Sequence, residues 1–344
     1  MREGVVESMI DEIVREAELV ILLNMLDDPV EITYPTTNAQ LFKCQRSSEG
    51  YSLSLTCSRN SLETASNPSS QPSEMPLYRD IVECLISGDV IRFSNLEELK
   101  ESINSQRGFG KQLHFSPDTN ILYHRFFSNS GLVDTRDIIL VDTIRNEIES
   151  SLNHKYKPEE ITVMKSTTQY NRQLIDELVN RRTKKSRKAA YLAKTEYQFV
   201  RQHATEIESC DKSTENKEEN DRVIAKTLGK FSKETNASVI MLSGDDSMID
   251  LCEMEGLKYF HLKVPNEIDS NIGNVTAKQM RALLFNLAGV LGFIKVNSVV
   301  AFGEFKGKKD LKDLKLRFMD ENAYNEFSRD LKTCRRLLEL GIAQ

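Results

Sequence analysis

A chain of 344 residues exceeds one ordinary hydrophobic core, so two or three domains are expected. With 39% hydrophobic and 28% charged residues it reads as a globular chain rather than a disordered one. A net charge of −6 excludes a uniformly basic nucleic-acid binder, so any basic surface has to be local.

The six cysteines, at 44, 57, 84, 210, 252 and 334, form no C-x-x-C pair. That argues against zinc-ribbon and redox spacings and for reduced thiols in the cytoplasm, with buried free thiols favoured for Cys44 and Cys57. The apolar run Leu19–Leu26 is far short of a membrane span and follows acids rather than lysines and arginines, so no membrane partner and no signal peptide are expected.

In chain order, Val5–Leu26 has apolar residues at helical spacing and Asp27-Asp28-Pro29 stops it. Glu31–Lys43 and Tyr51–Cys57 are predicted strands around Ser47-Ser48-Glu49-Gly50, and 58–76 reads as a linker. Helices are expected over Tyr78–Ile86 and Leu96–Ile103. From Gln112 strands and helices alternate: Gln112–Phe115, helix Asn120–Phe127, strand Asp137–Val141, helix Thr143–Leu152, then one long helical stretch Lys165–Val200. Helix Asp221–Thr235, strand Ser238–Leu242, helix Ser247–Glu255 and strand Gly256–Val264 complete this part, a pattern of βαβ units and a parallel sheet. Beyond Pro265 the chain predicts helix Lys278–Leu291, strands Ile294–Phe305 and Leu314–Phe318, and helix Tyr324–Leu340. Three domains are therefore expected: an N-terminal α+β region over 1–110, an α/β domain over 111–266, and a small α+β extension over 267–344.

Four acids stand at similar junctions. Asp118 follows the first strand of the middle segment, Glu147 lies on the helix after the second, Asp221 opens the helix DRVIAKTLGKF, and Asp245 follows SVIML. Each alone reads as a helix cap, a first-turn acid or an exposed helix residue. Together they could face one crevice at the carboxyl ends of the strands. Four neighbouring carboxylates cannot all stay ionised without compensation, and a hard divalent cation with oxygen ligands supplies it.

The order Asp118-Thr119-Asn120 after a strand, then Glu147, Asp221 and Ser243-Gly244-Asp245, resembles the PIN domain, a family of metal-dependent nucleases. The resemblance spans about 112–265. It implies a central three-layer α/β/α domain with a parallel sheet, flanked by the two α+β regions. It further implies that Asp118, Glu147, Asp221 and Asp245 are the catalytic acidic quartet holding Mg²⁺ or Mn²⁺, with Asn120 and Ser243 in support. Asp246 is either a further ligand or a helix cap, and capping preference favours the cap. Glu149 competes with Glu147, but its two-residue offset points it elsewhere on the helix. The implied activity is phosphodiester hydrolysis of single-stranded or structured RNA by metal-activated water.

Between Glu147 and Asp221 lies NRRTKKSRK, with Arg181, Arg182, Lys184, Lys185, Arg187 and Lys188 as a candidate phosphate-backbone contact, against a solvated helix face. A P-loop and a G-x-S-x-G elbow are absent from the sequence, and Gly108-Phe109-Gly110 is too weak for a dinucleotide loop. Two alternatives stay open: a non-catalytic RNA- or protein-binding module on the same scaffold, and a structure-specific DNA nuclease. The flanking regions are the candidate surfaces for a homodimer or protein partner.

Overall fold

The computed structural model describes residues 9–66, 74–107, 112–214 and 216–342; Gly108–Gly110, the start of the expected N-terminal helix and part of the expected linker lie outside them. In chain order the strands and helices begin with β1 (Ile10–Arg15), α1 (Leu19–Met25), β2 (Val30–Tyr34), β3 (Ala39–Ser47), β4 (Gly50–Leu55), α2 (Arg59–Ser66), α3 (Tyr78–Ser87) and α4 (Leu96–Arg107). Then come β5 (Leu113–Pro117), α5 (Thr119–Tyr123), α6 (Phe126–Ser130), β6 (Ile139–Val141), α7 (Asp142–Ser151), α8 (Pro158–Thr167), α9 (Lys184–Lys188) and α10 (Lys194–Arg201). The remainder is β7 (Thr205–Ile207), α11 (Lys217–Thr235), β8 (Ser238–Ser243), α12 (Asp246–Glu255), β9 (Lys258–His261), β10 (Asn271–Val275), α13 (Ala277–Leu291), β11 (Phe293–Val296), β12 (Val299–Phe302), β13 (Asp313–Phe318) and α14 (Glu321–Glu339).

The chain divides into two compact units, and the division differs from the expected three domains. The first draws on Met1–Cys84, Lys155–Lys184 and Asp269–Gln344; the second on Leu85–His154 and Lys185–Ile268. The two flanking regions are therefore one body. Their strands form a single eight-stranded sheet in the order β1-β13-β12-β11-β2-β3-β4-β10, with every pairing antiparallel.

This joining explains the main secondary-structure correction. Local periodicity predicts a helix from Val5, yet Ile10–Arg15 is a strand, because β13 offers a partner in register from Ile10↔Phe318 to Arg15↔Asp313. Long-range pairing overrides a weak local preference. The following apolar run is a short core helix, with Leu19, Ile21, Leu22 and Leu23 buried. Phe42, Phe293, Phe302, Phe318 and Phe327 are fully buried in this unit, and Tyr34 stacks on Phe293 with centroids 5.5 Å apart. Each such side chain contributes about 2 kcal/mol of burial. The expected turn at Ser47–Gly50 is present, and Gly50 is required there, since a Cβ would meet Val275 O at 2.3 Å. Two expected strands resolve as hairpins: Glu31–Lys43 falls on β2 and β3, and Ile294–Phe305 is β11–β12, turned at Asn297 with φ of 51°.

The second unit carries the parallel strands. β5 pairs with β8 and β8 with β9; β6 pairs with β7, and a parallel bridge Phe115↔Ile138 sets β6 beside β5. The order is β7-β6-β5-β8-β9. The chain builds outward from β5 in one direction and returns to β8 on its other side. The β5/β8 junction is thus a switch point of the kind that leaves a crevice at the carboxyl ends of strands. The mixed α/β class holds, with the antiparallel sheet as the part the sequence pattern did not convey.

The long helical stretch expected over Lys165–Val200 is broken. Asn171 and Asn180 adopt positive φ of 48° and 57°, a conformation asparagine tolerates better than most residues. The segment becomes α8, a 3₁₀ turn at Arg172–Leu178, α9, a wide π-turn at Ala189–Ala193 and α10. Likewise the helix expected over Asn120–Phe127 is split into α5 and α6 by Arg125, with φ of 53°.

Candidate functional site

The site is assembled where β5 and β8 end side by side. Pro117 pairs with Leu242 in the last rung of the parallel ladder, and the Asp118 N–H donates to Leu242 O at 2.8 Å. Asp118 and Ser243 consequently emerge together. The Ser243 hydroxyl donates to Asp118 Oδ2 at 3.0 Å, and the Asn120 amide donates to the same oxygen at 3.0 Å. Asn120 and Ser243, both expected beside this acid, hydrogen-bond to it directly.

Asp118 stands at the N-cap position of α5, yet its side chain makes no capping bond. It is 1% exposed, and its other oxygen, Oδ1, is buried with no hydrogen-bond partner. A capping acid would not be built this way. Burial raises its pKa, the charge of Asp245 adds to the rise, and Lys217, Ser243 and Asn120 oppose it.

Glu147 lies in the middle of α7, one turn from buried Thr143. Its Oε2 accepts from the Thr119 hydroxyl at 2.5 Å, while Oε1 is buried and unpartnered. Burial raises its pKa; Thr119, Asn220 and Lys217 act against the rise and Asp118 adds to it. Glu149, the competing acid, is exposed, as its offset on the helix requires.

Asp221 does not open its helix: α11 begins at Lys217 behind the N-cap Asn216, which places Asp221 in the second turn. It is 3% exposed, with Oδ1 buried and unpartnered. Burial first, then the charges of Asp118, Glu147 and Asp245, push its carboxyl up to about 7, with Lys217 opposing. Asp245 differs from the other three. It is half-exposed and caps α12, accepting from Ser247 N at 3.1 Å, and its Oδ2 takes the Lys217 ammonium at 2.7 Å. That hydrogen bond is the main cause of its lowered pKa.

Asp118, Glu147 and Asp245 all act on the Asp221 carboxyl, so the four acids lie within electrostatic reach of that residue. Asp246 does not join them. It is the first residue of α12, its side chain is 90% exposed and faces His261 Nδ1 at 3.3 Å, and the cap is made by Asp245. Both readings offered for Asp246, ligand and cap, are thereby corrected.

The basic run is also corrected. In the first unit Arg181 and Arg182 converge on the buried Glu304, at 2.6 and 3.7 Å, and Lys184 is buried against Asp80 at 2.7 Å. In the second unit Arg187 is 0% exposed, Lys188 is half-buried and Lys185 is exposed. Two of the six basic residues, Lys184 and Arg187, are buried and only Lys185 is exposed, so the run is not a fully solvated face.

Three residues beside the acids escaped the sequence reading: Thr119, Asn220 and Lys217. Lys217 had a signal, since it precedes Asp221 by four residues and shares its helix face. Thr119 sits inside the Asp-Thr-Asn triplet, where the eye goes to the acid.

No protein-family model matches the chain, and no curated protein is similar to it. Among the described residues, no three His, Cys, Asp or Glu side chains are gathered so that they could hold a metal ion as they stand, and Lys217 supplies the positive charge facing the acids. The donor chemistry nonetheless fits a hard cation: three carboxylate oxygens, Asp118 Oδ1, Glu147 Oε1 and Asp221 Oδ1, are buried and unpaired in mutually interacting groups. Among the described residues no helix is long and apolar enough to cross a membrane.

Proposed function

We propose that the chain is a PIN-like, divalent-metal-dependent endoribonuclease, with Asp118, Glu147, Asp221 and Asp245 as the ligand set for Mg²⁺ or Mn²⁺. The observation that carries this reading is that Asp118 at the end of β5, Glu147 on α7 and Asp221 on α11 each keep one buried carboxylate oxygen without a hydrogen-bond partner. Leaving such atoms unsatisfied costs roughly 1–3 kcal/mol each, and more for charged groups, so a fold that retains three of them together has a use for them.

Bound there, the ion would activate water and neutralise charge developing on a phosphodiester. The chain's own residues divide the remaining work. Asp118 is the fixed anchor, with Ser243 and Asn120 locking one oxygen so that the other is aimed. Thr119 does the same for Glu147. Burial and the neighbouring acids raise the Asp221 carboxyl to about 7, and a bound cation would favour its ionised form. Asp245, at the open side, is tied by the cap of α12 and by Lys217.

A second reading, a non-catalytic binding module, is favoured by one observation: Lys217 already compensates the acids, and no ready ligand trio is formed among the described residues. Cleavage of labelled RNA and DNA with Mg²⁺ or Mn²⁺ separates the readings. Wild type should cut RNA, and Asp118→Asn and Asp245→Asn should lose cleavage while keeping their fold. Cleavage of DNA alone would make the chain a DNA nuclease, which the site permits because carboxylates do not read the 2′-hydroxyl. If wild type cuts neither polymer at any metal concentration, the binding-module reading stands.

A further inference from the structure

Building on the metal-site reading, we infer that Lys217 is the cluster's own exchangeable counter-cation. Its ammonium stands in for the divalent ion among Asp118, Glu147, Asp221 and Asp245, and it has to withdraw before the ion can enter.

The geometry is specific. Lys217 Nζ lies 2.7 Å from Asp245 Oδ2, and no other cation among the described residues is ion-paired with any of the four acids. Lys217 and Asp221 share one face of α11, four residues apart, so the ammonium reaches across from Asp221 to Asp245. All four carboxyl groups register the charge, each being lowered by Lys217 against the burial or like charges that raise it. Two of those acids, Asp118 and Asp221, are 1% and 3% exposed and each keeps one buried oxygen without a hydrogen-bond partner, the kind of atom a ligand satisfies.

The position also explains why the lysine is exchangeable. It is the first residue of α11, behind the N-cap Asn216, where the helix macrodipole disfavours a cation. Glu218 and Glu219 follow it in that first turn, as the dipole prefers, and the ion pair with Asp245 offsets the lysine's unfavourable place. Its side chain is 54% exposed. A flexible four-carbon stem at a helix start can swing into water without opening the core. Asp245 Oδ2 cannot serve the ammonium and an ion at once, and the ammonium's charge repels an ion from the neighbouring acids, so ion and ammonium compete. The lysine thereby keeps the metal-free cluster from repelling itself and weakens metal affinity at the same time.

The test reads metal binding rather than turnover. Mn²⁺ is titrated calorimetrically into wild type, Lys217→Met and Lys217→Arg, with Asp118→Asn as the site control. Removing one competing charge should tighten Mn²⁺ binding about tenfold in Lys217→Met, with Lys217→Arg close to wild type. In parallel, acylation of wild-type lysines by an amine-reactive reagent is followed by mass spectrometry with and without Mg²⁺. Lys217 should become several-fold more reactive with Mg²⁺, and that measurement needs no variant to fold. If wild type binds Mn²⁺ but Lys217→Met binds no tighter, or Lys217 reactivity stays flat or falls, the counter-cation assignment is overturned and the metal site survives. If neither wild type nor Lys217→Met binds Mn²⁺, the metal site falls and this inference falls with it.

Discussion

The Ser243 hydroxyl donates to Asp118 Oδ2 at 3.0 Å, joining residues 125 positions apart at the ends of two neighbouring parallel strands. The same hydroxyl accepts from Asp245 N at 2.9 Å, so one side chain fixes the anchor acid and the turn that presents another. Ser243→Ala removes both. With Asp118 buried, the loss should lower stability by about 1–3 kcal/mol, measured by urea unfolding. Because such supporting contacts aim ligands, affinity for Mn²⁺ should also fall by roughly 10–100-fold. A variant that loses stability but keeps full metal affinity would show that Ser243 supports the turn alone.

The raised carboxyl of Asp221 gives the metal-free protein a pH dependence with a definite sign. In the unfolded chain this group titrates near its ordinary 3.8, and in the fold it is pushed up to about 7. Between those values the folded state holds more protons than the unfolded state, so stability falls as pH rises through the window and levels off above it. Asp118 and Glu147, also raised by burial, act in the same direction. Urea midpoints of metal-free protein should therefore be lower at pH 8 than at pH 5, and Asp221→Asn should flatten the difference. Saturating Mg²⁺ should raise the pH 8 midpoint most.

The basic run separates two expectations residue by residue. Lys184 is buried beside Asp80 at 2.7 Å, so Lys184→Ala removes the ammonium from a buried ion pair and should cost about 3 kcal/mol. Exposed Lys185 lies outside such a network, and Lys185→Ala should change stability by less than about 0.5 kcal/mol. A filter-binding titration with labelled RNA at two salt concentrations, carried out on both variants under conditions where they are folded, should show no large change in salt dependence. A markedly shallower salt slope for Lys185→Ala would restore this segment to the nucleic-acid surface.

In the first unit, Gly303 follows β12 where the backbone of α13 passes close by. A Cβ there would meet the Ala288 carbonyl carbon and oxygen at 2.3 Å and Gly289 N at 2.4 Å. Backbone cannot yield as a side chain can, and Gly303→Ala should destabilise this unit by about 3 kcal/mol or more, read as a lowered thermal midpoint.

The alternation of strands and helices and the junction positions of Asp118, Glu147 and Asp245 were determined by the sequence alone. These are local properties: a strand end, a capping triplet and a helix period each occupy a few consecutive residues. What only the tertiary structure decided is everything set by long-range pairing. β1 became a strand because β13 is its partner, and the two ends of the chain became one sheet instead of two domains. Buried acids at Glu304 and Asp80 took up Arg181, Arg182 and Lys184 of the basic run. The charge at the heart of the acids was decided in the same way. Lys217 is an ordinary helix-start lysine by sequence, and it matters because β8 and α11 bring Asp245 within 2.7 Å of it. Coulomb interactions depend on distance through space, and a single chain pattern carries that distance only where the two groups are neighbours along it.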